Sequence, residues 1–143
     1  VKLHLGVLDE PYVDNDGLTT GDVAELLEAK YHVQEICFQE NEQAIADALT
    51  SGIEGQLENL LMGQGGVTLE SVMNAGTPKV DEIMKDFIAN GEMERLGYPG
   101  VPTKAAILRK SGRFKKKRGP AQRPSFIDTG HYQATQKSWV DNE

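Results

Sequence analysis

The sequence predicts an α+β fold: a mainly helical single domain with a small β-sheet and an extended basic loop or arm. Three observations predict it. Residues 41–62 and 78–90 carry apolar side chains at helical spacing. Residues 1–8 alternate apolar and other side chains, the period of a strand. Residues 111–123 are rich in Lys and Arg and show no apolar period.

The length of 143 residues suits one domain. Only 38% of residues are hydrophobic and 6% aromatic, so the core is modest and part of the chain is arm or loop. Neighbours in an assembly would complete its burial. We divide the chain into an α+β body (1–110), a basic loop or arm (111–123) and a C-terminal anchoring segment of the same domain (124–143).

In the first strand Val1, Leu3, Leu5 and Val7 share one face, and Asp9-Glu10-Pro11 ends it. Thr20 is placed to cap a helix over 21–30, with Val23, Ala24, Leu26 and Leu27 on its apolar face. Residues 32–38, with Val33, Ile36, Cys37 and Phe38, read as a second strand that pairs with the first. Asn41 is then a good N-cap for the longest helix. Ile45, Leu49, Ile53, Leu57, Leu60 and Leu61 recur along it, Gly52 and Gly55 allow a close approach or a bend, and Gly63-Gln64-Gly65-Gly66 stops it. Thr77-Pro78 starts the next helix, with Val80, Ile83, Met84, Phe87 and Ile88 on one face. Residues 97–102 form a turn, and Thr103 caps a short helix containing Ala105, Ala106, Ile107 and Leu108.

No apolar run approaches the ~18 residues of a transmembrane helix, and the start of the chain lacks a basic-then-apolar signal pattern. With a single cysteine, Cys37, no intrachain disulfide forms. The expected setting is soluble and cytoplasmic, without a membrane partner, and Cys37 reads as a small buried hydrophobe.

Catalytic patterns are weak. Asp14-x-Asp16-Gly17 is out of register for a calcium loop, because Tyr12 and Val23 would fill the first and last ligand positions. The glycines at 63, 65 and 66 follow a helix and precede no Lys-Ser or Lys-Thr, unlike a phosphate loop. His4, His32 and His131 have no Cys or His partner at ligand spacing. We expect no enzyme, no metal and no cofactor.

Charge is the feature that asks for a partner. The net charge is −7, yet Lys104, Arg109, Lys110, Arg113, Lys115, Lys116, Lys117, Arg118 and Arg123 supply nine of the fifteen basic residues. No Asp or Glu lies between Glu94 and Asp128. The candidate contact residues are Arg113, Lys115, Lys116, Lys117, Arg118 and Arg123. They suit docking on the acidic body of a neighbouring copy, contact with DNA phosphates, or a merely solvated loop; we prefer the first.

The segment Arg123-Pro-Ser-Phe-Ile-Asp-Thr-Gly-His-Tyr, running on to Trp139-Val140, resembles a motif of tailed-bacteriophage neck and tail-completion proteins. Its matching residues are Pro124, Phe126, Ile127, Asp128, Thr129, Gly130, Tyr132 and Trp139. The stretches 96–106 and 19–33 are similar to segments of the same proteins. The resemblance implies a structural virion protein, assembled in the host cytoplasm and forming a ring of its own copies at the head–tail junction. Portal-side connector and tail-side proteins would be its neighbours, with possible non-specific contact with channel DNA. Alternatives are a tail terminator, or a small DNA-binding accessory protein using the basic segment. In either case the motif residues order the backbone: Asp128 or Thr129 caps the next turn, Gly130 takes an unusual backbone angle, and the aromatic residues pin the chain end.

Overall fold

The computed structural model describes residues 1–13, 17–108, 124–127 and 130–141. It is mainly helical with one two-stranded antiparallel sheet, the α+β class that the sequence predicts. In chain order the elements are β1 (Lys2–Val7), α1 (Thr20–Tyr31), α2 (Val33–Leu61), α3 (Leu69–Met73), α4 (Thr77–Ala89), α5 (Glu92–Arg95), α6 (Lys104–Leu108), α7 (His131–Ala134) and β2 (Gln136–Asp141).

The sheet differs from expectation. β1 pairs with β2, His4 opposite Trp139 and Leu5 opposite Ser138, while the residues expected to form an early second strand begin α2. Val33, Ile36 and Cys37 stand at the spacing of one helical face, and Val33 and Cys37 are buried there. A single residue, His32, joins α1 to α2 in the left-handed conformation, with φ 53° and ψ 46°. Its side chain caps nothing. The Glu28 carboxylate does so in its place, accepting from the amides of Gln34 at 2.8 Å and Glu35 at 3.2 Å. Asn41, expected as an N-cap, lies inside α2 at a kink with φ −121° and ψ 16°. Its Nδ2 donates to the Cys37 carbonyl at 2.9 Å, so a side chain occupies a rung of the helical ladder.

The other helix ends follow local chemistry. Thr19, one residue before the expected cap, forms a capping box with Asp22. Thr20 is buried, and its hydroxyl donates to the Leu8 carbonyl at 2.6 Å and accepts from the Glu10 amide at 2.8 Å. The short α3 was not foreseen, although Thr68 and Ser71 give it a capping box. α4 starts at Thr77, and Gly91 with φ 60° separates it from α5. The Thr103 hydroxyl accepts from the Ala106 amide at the start of α6, as expected.

The core gathers Val33, Cys37 and Ile45 of α2, Val80, Met84, Phe87 and Ile88 of α4, with Met93 and Tyr132. Leu3, Leu5 and Val7 of β1 pack against it, as their alternation predicts. β2 is held on both edges. β1 covers one; on the other, the buried Asp81 carboxylate accepts from the Ser138 amide and hydroxyl, both at 2.6 Å, and from Lys137 Nζ at 3.0 Å. Asn74 completes that edge like a further strand residue, accepting from the Val140 amide at 2.8 Å and donating to its carbonyl at 3.2 Å.

Where α2 crosses the α3–α4 turn, the backbones touch. A Cβ at Gly52 would stand 2.3 Å from the Gly76 nitrogen, whereas one at Gly55 would meet nothing within 4 Å. The sequence-level choice between close approach and bend is therefore settled for Gly52 as close approach.

Two glycines in one helix are expected to respond oppositely. Gly52→Ala should cost about 3 kcal/mol of unfolding free energy through overpacking, while Gly55→Ala should gain about 1 kcal/mol from helix propensity. Urea unfolding of the two variants measures both. Asp81→Asn keeps the shape but weakens three charge-assisted hydrogen bonds, and should lower stability by about 2 kcal/mol in the same assay.

Candidate assembly surface

The C-terminal motif is structural in the part described. Pro124 is half-buried, and Phe126 adopts φ 68° with its ring edge-on to Tyr31 at 5.2 Å. Ile127 packs on the core. Between Pro124 and Phe126, the buried Ser125 donates its amide to the Glu94 carboxylate and accepts from the Thr103 amide at 2.9 Å. Gly130 takes φ 81° at the start of α7, the positive angle expected of it, and Tyr132 is buried. Trp139 anchors differently from expectation. It remains 44% exposed on the outer face of the ribbon, stacked on His4 at 5.2 Å and 8°. It passes over Gly6, where a Cβ would meet its ring at 3.2 Å. Asp128 and Thr129 lie outside the described residues, as do the contact candidates Arg113, Lys115, Lys116, Lys117, Arg118 and Arg123.

The distal part of α2 carries several exposed apolar residues. Ile45 is the last buried residue in it. Leu57, Leu60 and Leu61, which recur at helical spacing, are 47%, 53% and 87% exposed, with Met62 at 77% and Leu69 across the turn at 65%. Their spacing is helical, but the helix runs past the core.

α2 is also acidic throughout. Its 29 residues include Glu35, Glu40, Glu42, Asp47, Glu54 and Glu58, and no Lys or Arg. Glu40 accepts from the Tyr98 hydroxyl, and Glu35 pairs with His32 at 3.0 Å. Asp47, Glu54 and Glu58 are exposed, at spacings of seven and four residues that place them on one face. No Lys or Arg among the described residues forms an ion pair with these three.

The histidines have partners that sequence spacing did not supply. His4 Nε2 stands 2.6 Å from Asp141, and His131 Nε2 stands 3.4 Å from Glu10 with its ring edge-on to Tyr12. His32 joins Glu28 and Glu35 in a group whose ligand-capable atoms lie within 4.8 Å of one another. The pattern Glu-x3-His-x2-Glu was legible in the sequence. Its members already serve the α1–α2 joint, since Glu28 accepts two amides and His32 pairs with Glu35. Beside this joint, Leu3, Leu5 and Phe38 line a groove of about 360 Å³ together with Glu28, Gln34 and Glu35.

Among the described residues no helix is long and apolar enough to cross a membrane. The chain matches no known family model, no curated protein and no solved structure.

Burial pushes the Cys37 thiol up to about 12, opposed only by the Asn41 amide, and burial likewise raises the Tyr132 phenol. Both acids hold their protons more tightly folded than unfolded. Their stabilising effect is complete below the ordinary thiol value and is lost as pH rises toward the folded values. Far-UV circular dichroism in fixed urea should therefore show the unfolding midpoint falling from about pH 9 upward. Cys37→Ala should flatten the first part of that fall.

Proposed function

We propose that this chain is a structural virion protein of a tailed phage, forming a ring with its own copies at the head–tail junction. The observation that carries the reading is the apolar tip of the α2–α3 turn. Leu60, Leu61, Met62 and Leu69 are more than half exposed together, in a chain with few large apolar residues to spare. Exposed large apolar residues gathered about one turn favour protein–protein contact. The acidic α2 and the basic sequence of residues 109–123 carry opposite charge within one chain, which suits the head-to-tail contacts of a ring. The resemblance over 123–140 supplies the phage context. Its described residues serve packing: Ile127 and Tyr132 on the core, Phe126 against Tyr31, Gly130 as a turn.

Electron microscopy of lysates from a phage lacking this gene tests the assignment. Full heads beside detached tails of normal length are expected. Tails of uncontrolled length would make the protein a terminator, and intact infectious particles would overturn the neck reading in favour of a DNA-binding accessory. Replacing Lys115, Lys116, Lys117 and Arg118 with Ala should block assembly while leaving the circular dichroism of the purified chain unchanged. Normal particle yield from that variant would exclude a role for the segment in assembly.

A further inference from the structure

We propose that the distal face of α2, with Asp47, Glu54 and Glu58 leading to Leu57 and Leu61, receives the basic segment 109–123 of a second copy of this chain. The inference deepens the ring reading and rests on it for the presence of neighbouring copies.

Charge complementarity argues for the occupant. Residues 109–123 hold eight of the fifteen Lys and Arg and no acid, leaving seven basic residues against all twenty-two acidic ones elsewhere. The strip has three exposed carboxylates on one helical face and an apolar end. The segment has the same composition in complementary form: one aromatic residue, Phe114, flanked by Arg113 and followed by Lys115, Lys116, Lys117 and Arg118. Phe114 would lie on Leu57 and Leu61, and the cations on Glu58, Glu54 and Asp47.

Reach argues that the segment comes from another copy. Its roots sit near the start of α2: Ser125 and Phe126 line one small cavity with Val33, and Ser125 bonds Thr103, just before α6. Glu58 lies about 38 Å along α2 from Val33. A fifteen-residue segment tethered at both ends extends at most about 25 Å from its roots. A chain's own backbone therefore falls short of Glu58, so a segment seated at the tip would come from a second copy.

The test uses the intact chain carrying K115A, K116A, K117A and R118A, so that the segments of other copies no longer compete, and a fluorescein-labelled synthetic peptide of residues 109–123. Fluorescence anisotropy is expected to show saturable binding, at least tenfold weaker at 200 mM than at 50 mM salt. Adding E54K and E58K to the chain should weaken binding tenfold or more, and Phe114→Ala in the peptide several-fold. Reversing two exposed carboxylates elsewhere, E25K and D86K, should change it less than twofold. Absence of saturable binding, or equal loss from the two pairs of reversals, overturns the proposal. If the peptide fails to bind while the phage still requires the segment for assembly, the docking site is wrong and the ring reading stands. If it binds as described and the gene proves dispensable for particles, self-docking stands without the neck role.

Discussion

The sheet of this protein depends on one buried carboxylate. A two-stranded ribbon is marginal by itself, and β1 and β2 are only six residues each. Asp81 turns the ribbon into part of the body by accepting from the Ser138 amide and hydroxyl and from Lys137, all from the floor of α4. Asn74 repeats the arrangement one residue pair further along, at Val140. Because α4 also carries Val80, Met84, Phe87 and Ile88 into the core, the helix that organises the apolar interior also holds the sheet. Losing Asp81 would leave Asn74 alone to hold that edge of β2, through Val140.

Much of this was legible from residue pattern. The alternation of β1 and the apolar face of α4 appear where spacing puts them, and Gly63 ends α2 where the glycine run predicts. The error at residues 32–38 has a physical source. Val, Ile, Cys and Phe favour a strand by propensity, but their offsets of three and four residues fit a helix, and tertiary burial of Val33 and Cys37 decides. The true partner of β1 was hard to find because Gln136, Lys137 and Ser138 carry no strand signal. They become a strand through Asp81 and through burial of Gln136 and Ser138, neither visible in local sequence.

The candidate surface was legible in part. The basic run stands out in the sequence, and so does the absence of Lys and Arg from α2. Periodicity tells which side chains share a face, but not how far the body extends beneath that face. Leu57, Leu60 and Leu61 continue the same helical repeat as Ile45 and Leu49, and only the packing of α4 beneath α2 reveals where the core ends. The motif aromatics divide in the same way: Tyr132 is buried, whereas Trp139 lies flat on the outside of the ribbon.

Pairing residues 2–7 with residues 136–141 also sets the order of events during synthesis. Each rung of the ladder joins positions more than 125 residues apart, so no strand pair can form until β2 has emerged from the ribosome. Helices α1 to α4 can pack on one another earlier, since their contacts are nearer in sequence. Until β2 arrives, Asp81 has none of its three donors, and the apolar face of β1 has no strand beside it. Synthesis of residues 136–141 is thus the step that closes the domain, and a chain not yet carrying them keeps an open edge.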